Sequence, residues 1–368
     1  MKNISVFGAV VLTAFFIWAT VFGLFPKDEE EQSIVAGTES NVTYGTSVIQ
    51  EGLYVPWSIA FFRKGEFAFT ERNGFLKLVG PNPISIRVPE AMEIGEGGLL
   101  GLAIHPDFST NHFIYLYFTT QAGEKILNRV VRYEFTDYVL IKNKVVLDNI
   151  PGGSVHNGGA IAFGPDNYLY ISTGDSGQEE LAQDKNSLGG KILRINDDGS
   201  IPSDNPFGNE VYSFGHRNPQ GLAWDYEGNL WETEHGRSGV TSGLDELNLI
   251  TRGSNYGWPI VQGDEKREGM VAPMINSGSL TWAPSGLAFR GGNLFFAGLR
   301  GESLYKVNVL PQGKLGPLTS HFAGKYGRLR GVVLGPDDFI YFSTSNRDGR
   351  GKPQEGDDKI LKLLEVSG

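Results

Sequence analysis

The sequence contains no cysteine. That excludes disulfides, thiolate metal centres and a bacterial lipoprotein anchor, and leaves the compartment open. Positive charge is scarce: 32 Lys and Arg stand against 42 Asp and Glu, a formal charge of −10. A chain without a basic excess is a poor general binder of nucleic acid and suits a soluble body with a small-molecule ligand. Histidine is also scarce, six in 368 residues, and it is scattered; without H-E-x-x-H or a close cluster, a catalytic zinc has no support. No G-x-S-x-G, P-loop or dinucleotide fingerprint occurs in a fitting context. Past Phe25 no long stretch shows helical periodicity. What the chain has in quantity is glycine, 50 dispersed residues, and aromatics at 12%. Glycine at turns and aromatics in strands suit an all-β protein of many hairpins.

The amino terminus is the exception. Ile4 to Phe25 is apolar over about one bilayer thickness, with Lys2 ahead of it and Pro26-Lys27 and four acids, Asp28 to Glu31, behind. Residues 1–25 read as a signal sequence or an uncleaved membrane anchor, which places the body outside the cytoplasm: secreted, periplasmic or at the cell surface. Residues 26–44 are polar and read as a linker, with a glycosylation sequon at Asn41-Val42-Thr43. Residues 45–368 are left as the folded domain.

In that domain one phrase recurs: a turn rich in Gly, Pro, Asp or Asn, a short aromatic and β-branched strand, then a polar loop. The strands are Glu66 to Thr70, Phe113 to Phe118, Tyr168 to Thr173, Leu230 to Thr233, Leu294 to Ala297 and Phe339 to Thr344. Six copies spaced roughly 45 to 65 residues apart are six equivalent units. A sheet of about four strands repeated radially is a β-propeller, here six-bladed with four-stranded antiparallel blades. The widest spacings, 175–220 and 235–285, predict long loops at the funnel and hence the ligand site.

Chemistry-bearing residues fall in such loops. The stretch Gly152 to Gly177 sets His156 and Asp175 on either side of one hairpin, so the carboxylate can hold the imidazole in one tautomer as a base. Gly215-His216-Arg217-Asn218-Pro219 offers a planar guanidinium and an amide. Arg328 and Arg330, two apart on an extended segment, point the same way and call for an anion, and Arg300 lies on the loop side of the preceding unit. If these face the funnel, an acidic protein carries a basic pocket for a small polyanion. Glu232 to Arg237, Asp245-Glu246 and Asn255 to Pro259 offer carboxylates and carbonyls that suit a hard cation such as Ca²⁺.

Gly97 to Phe108 (GGLLGLAIHPDF), His156 to Asp175, Tyr212 to Gly221 (YSFGHRNPQG) and Asn255 to Pro259 (NYGWP), in this order, resemble the soluble quinoprotein dehydrogenases. These form the glucose/sorbosone dehydrogenase family, and the likeness is closest to its aldose sugar dehydrogenase branch. It spans about residues 50 to 364. It implies a pyrroloquinoline quinone (PQQ) cofactor with Ca²⁺, oxidation of sugars at the anomeric carbon, and transfer of electrons to an external quinone, dye or cytochrome. It implies His156 as the general base, Asp175 as its orienter, and Arg217 and Asn218 beside the quinone. Arg300, Arg328 and Arg330 would hold its carboxylates. The main-chain carbonyls of Gly236 and Arg237 would ligate the cofactor's Ca²⁺, and Glu246 with the carbonyl of Tyr256 a second, structural Ca²⁺. Three positions depart from the glucose dehydrogenase pattern. Glu96 stands where a glutamine touches the cofactor, and a carboxylate there calls for a proton or a cation beside it. Val155 replaces an acid, and Arg300 a lysine. The alternatives are a Ca²⁺-dependent propeller lactonase, with its metal on acidic and Asn side chains in the channel and no arginine cluster, and a binding propeller without chemistry.

Overall fold

The computed structural model describes residues 42–239 and 242–366. The expected signal or anchor segment, most of the linker and Asn41 of the sequon lie outside them. The first strand, β1 (Thr43–Gln50), begins inside the segment read as linker. Twenty-three strands follow. They run as β2–β5 (Pro56–Arg63, Glu66–Glu71, Phe75–Val79, Ile84–Arg87) and β6–β9 (Leu99–Ile104, Phe113–Ala122, Lys125–Thr136, Val139–Pro151). Next are β10–β13 (Ile161–Phe163, Leu169–Thr173, Lys191–Ile195, Val211–Phe214) and β14–β17 (Pro219–Trp224, Leu230–Glu234, Glu246–Ile250, Ile275–Asn276). The last are β18–β21 (Pro284–Arg290, Asn293–Gly298, Ser303–Val309, Leu315–His321) and β22–β24 (Leu329–Leu334, Ile340–Thr344, Ile360–Val366).

These strands form six four-stranded sheets, five of them in simple chain order and the sixth in the order β1-β24-β23-β22. The sheets are the blades of a six-bladed propeller. The recurring phrase falls on the second strand of every blade: β3, β7, β11, β15, β19 and β23. Its turn has a structural task. Asp166 and Asp337 each accept the hydroxyl of the tyrosine four residues on, Tyr170 at 2.8 Å and Tyr341 at 2.9 Å, and Asp225 accepts the indole N–H of Trp231 at 2.9 Å.

A blade is sandwiched between two others, so its middle strands are apolar on both faces rather than alternating. The core is accordingly divided into six clusters of buried side chains, one at each blade interface. Polar clasps reinforce four of these interfaces. Hydroxyls on second strands donate to inner-strand carbonyls of the next blade: Thr70 to Leu100 (2.5 Å), Ser172 to Pro219 (2.8 Å), Thr233 to Ser285 (2.6 Å) and Ser343 to Pro56 (2.9 Å). Each is a buried hydrogen bond, contributing about 1 kcal/mol and costing more if only one partner is removed.

The first strand of each blade lines a central channel, whose lower part is a cavity of about 650 Å³ between the six inner strands. Antiparallel pairing then fixes what can face the upper end. Loops entering an inner strand or leaving a second strand start at the funnel end.

Candidate active site

The funnel holds a cavity of about 720 Å³, and both kinds of loop supply its wall. Glu96, His156, Arg217, Asn218 and Arg328 stand one to five residues ahead of inner strands, while Arg72, His235, Arg300 and Asp348 stand one to four residues past second strands. Every residue expected to touch a cofactor lines this one cavity, as do Gly236 and Arg237. Asp175 sits behind His156; Glu246 and Tyr256 lie elsewhere.

His156 Nδ1 is 2.7 Å from Asp175 Oδ1, which also accepts the Gly177 N–H at 2.8 Å. Asp175 Oδ2 accepts the indole N–H of Trp258 at 2.9 Å. Burial works against the Asp175 carboxylate, but the hydrogen bond from His156, the Gly177 N–H and the Arg217 charge outweigh it and hold its pKa below the ordinary value. An ionised Asp175 fixes the proton of His156 on Nδ1 and leaves Nε2 as the acceptor. His156 takes a left-handed φ of 52°, a strained conformation that must be held. Its N–H donates to Glu96 Oε2 at 3.1 Å, and its carbonyl lies where a Cβ on Gly174 would come within 1.9 Å. Only glycine fits at 174.

Arg217 is 5% exposed. Its backbone N–H donates to Glu234, its guanidinium donates to Ser238 Oγ at 2.9 Å, and it lies 5.2 Å from the centre of the Trp258 ring. Asn218 Oδ1 accepts the Gly158 N–H at 3.0 Å. Arg217 Nε and Asn218 Nδ2 are buried donors with no partner among the described residues, and His235 Nε2 is likewise unmatched. Burial pushes His235 down to about 3, so it is neutral.

The anion that Arg328 and Arg330 call for is already supplied in part by the chain. Asp348 Oδ2 accepts Arg328 Nε at 2.8 Å and Arg330 Nη2 at 3.4 Å. Burial lowers Arg330 to about 10, which leaves it charged at neutral pH. Arg300 is peripheral, reaching Ser242 Oγ at 3.2 Å. Glu96 has the cation it needs: Arg350 Nη1 is 2.6 Å away. Burial opposes the Glu96 carboxylate, but the Arg350 charge and the His156 N–H lower its pKa on balance. Arg72, Arg350 and Asp348 were not singled out from sequence. Arg72 and Asp348 were nonetheless marked by position, since each follows the strand of the repeated phrase.

Taken together, seven arginines (72, 217, 237, 300, 328, 330 and 350) and three carboxylates (Glu96, Asp245 and Asp348) line the cavity. The excess is cationic, inside a protein that is acidic overall.

Glu246 and Tyr256 line a second space of about 10 Å³, together with Gly236, Arg237 and Gln262, enough for about one water or ion. Glu246 accepts the Gly263 N–H at 3.3 Å and Asn248 Nδ2 at 3.2 Å, and Gln262 Oε1 has no partner among the described residues. Beside it, Glu232, Glu234 and His216 bring ligand atoms within 4.8 Å of one another, all buried. Burial raises Glu234 and Glu246 to about 8 and Glu232 well above its ordinary value.

Comparison with known proteins gives a consistent result. The family model for glucose/sorbosone dehydrogenase matches residues 53–361. Aldose sugar dehydrogenase YliI of Escherichia coli (strain K12) is 30% identical over 355 residues, 83% of this chain and 91% of that protein. Quinoprotein glucose dehydrogenase B of Acinetobacter calcoaceticus is 34% identical over 259 residues, 60% of this chain and 53% of that one. The solved PQQ-bound form of aldose sugar dehydrogenase from Streptomyces coelicolor superposes with a TM-score of 0.81 at 39% identity, covering 88% of this chain and 98% of that structure.

Proposed function

The chain belongs to the glucose/sorbosone dehydrogenase family, and from that premise we propose that it is a PQQ-dependent aldose sugar dehydrogenase oxidising the C1 hydroxyl of sugars to the lactone. The observation that carries the reading is the His156–Asp175 pair on the wall of an arginine-rich cavity.

The residues present fit the cofactor. PQQ is a tricarboxylate, and the cavity wall has four more arginines than carboxylates, with the unmatched donors Arg217 Nε and Asn218 Nδ2 still to be satisfied. Arg300, Arg328 and Arg330 would meet its carboxylates, and the carbonyls of Gly236 and Arg237 its Ca²⁺. Glu246, Gln262 and the Tyr256 carbonyl would hold a structural Ca²⁺ in the smaller space. When bound, the Ca²⁺-polarised quinone supplies the hydride acceptor.

The chain's own residues do the rest. His156 Nε2 takes the proton of the anomeric hydroxyl as hydride leaves C1, and Asp175 stabilises the imidazolium that results. Arg217, its N–H held by Glu234 and its guanidinium by Ser238, would set a buried positive charge beside the cofactor. A lactonase would need a metal on acidic and Asn side chains in the channel; seven arginines there favour the dehydrogenase instead. The apolar amino-terminal run supports work outside the cytoplasm, with an external electron acceptor and membrane attachment through residues 4–25 as further parts of the proposal.

Purified apo-protein given PQQ and Ca²⁺ should reduce a dye when aldoses are added. Lactone hydrolysis without dye reduction would overturn the proposal.

A further inference from the structure

We infer that Trp258 is a positioning residue for proton removal, acting through Asp175; this rests on the dehydrogenase reading above. Asp175 is 1% exposed, so water cannot replace a lost partner. Its Oδ1 serves His156 and Gly177, while its Oδ2 takes the Trp258 indole N–H at 2.9 Å. The same ring lies against the Arg217 guanidinium, 5.2 Å from the ring centre. One side chain therefore touches both the carboxylate that orients the base and the cation beside it.

Trp258 does this across a blade boundary. It follows β16 of the fourth blade, whereas Asp175 follows β11 of the third. Its backbone is fixed to third-blade loops on both sides: its N–H donates to the Gly215 carbonyl at 2.9 Å, and its carbonyl accepts Gln183 Nε2 at 2.6 Å. The ring is thus delivered in one orientation.

A donor on Oδ2 draws negative charge away from Oδ1. Without it the buried carboxylate becomes more basic and binds an imidazolium more tightly, so His156 is occupied by a proton at higher pH and serves less well as a base. The other groups around the ring are Glu96 with Arg350, Arg217 and the neutral His235, and the substitution changes none of them.

Trp258→Phe keeps the ring against Arg217 and loses the N–H. With cofactor and sugar saturating, kcat at neutral pH should fall about tenfold, the order expected for one hydrogen bond to a buried charge. The acid limb of the kcat profile should move to higher pH. Deuterium at sugar C1 should slow the variant at least as much as the wild type. In an Asp175→Asn background the same substitution should leave the limb where it was, because the charge it modulates is gone. Trp258→His, which restores a ring N–H, should move the limb back and decides the matter if the Phe variant fails to fold. An unmoved limb in Trp258→Phe, or an equal shift with and without Asp175, would reduce Trp258 to packing. An inactive wild type would instead overturn the dehydrogenase reading itself.

Discussion

Arg350 closes on Glu96 at the mouth of the cavity, Nη1 to Oε1 at 2.6 Å, joining the sixth blade to the loop ahead of β6. The Arg350 side chain is 62% exposed and that of Glu96 26%, so the pair is partly screened by water and salt. Its effect is local: it neutralises the carboxylate that also takes the His156 N–H.

Arg350→Ala should therefore weaken affinity for an anionic cofactor by up to about tenfold at low salt and by less at high salt, because a bare carboxylate then faces the cavity. Adding Glu96→Gln should restore most of the loss. Titration of apo-protein with PQQ at two ionic strengths measures this. A double variant as weak as the single one would mean that Arg350 binds the cofactor directly.

His156→Gln keeps a polar side chain and cannot accept a full proton at neutral pH. Turnover should fall by about 10² to 10⁴ with PQQ binding nearly unchanged, and Asp175→Asn should fall less. In the wild type the rate should drop on the acid side, where the base is already occupied by a proton. Single-turnover kinetics would separate these losses from product release.

Arg328→Ala should do the reverse. It would remove a proposed cofactor contact and leave Asp348 with Arg330 as its remaining ion-pair partner. Cofactor affinity should weaken by about tenfold or more, with turnover partly recovered at saturating PQQ. Loss of turnover that saturation does not recover would place Arg328 in the chemical step.

Stability should depend on pH in opposite senses with and without metal. In the metal-free protein Glu234 and Glu246 keep their protons up to about 8, whereas an unfolded Glu loses its proton near 4.3. The native state then binds more protons than the unfolded one, so stability falls as pH rises between these values. Ca²⁺ needs ionised carboxylates, so its stabilisation should grow over the same interval. Melting curves in chelator and in Ca²⁺ across that range test this. Glu246→Ala should reduce the Ca²⁺ effect more than turnover. A chelated protein that grows more stable toward pH 8 would contradict the assignment.

Much of this was legible in the sequence because local chemistry repeats. Gly164-Pro165-Asp166 and Gly335-Pro336-Asp337 recur since each turn must also supply an acceptor for a tyrosine on the strand that follows. His156 and Asp175 were legible as a pair because a single hairpin separates them. Trp258 was not: it meets Asp175 across 83 residues and a blade boundary, and only the packing of the fourth blade on the third brings them together. The arginine pair called for an anion, and the one the structure sets beside it is Asp348, which a charge pattern alone does not locate.

β1 pairs with β24, so the first strand of the ring lies beside the last. During synthesis this has a temporal meaning. A nascent chain carries Thr43–Gln50 as a bare strand edge until Ile360–Val366 has emerged, and non-local closure of that kind is slow. Val48, still half exposed in the finished ring, is then part of a segment ready to pair with another copy. Chains truncated before β24 should therefore aggregate more readily than the full chain, a consequence of a propeller that locks with its first strand.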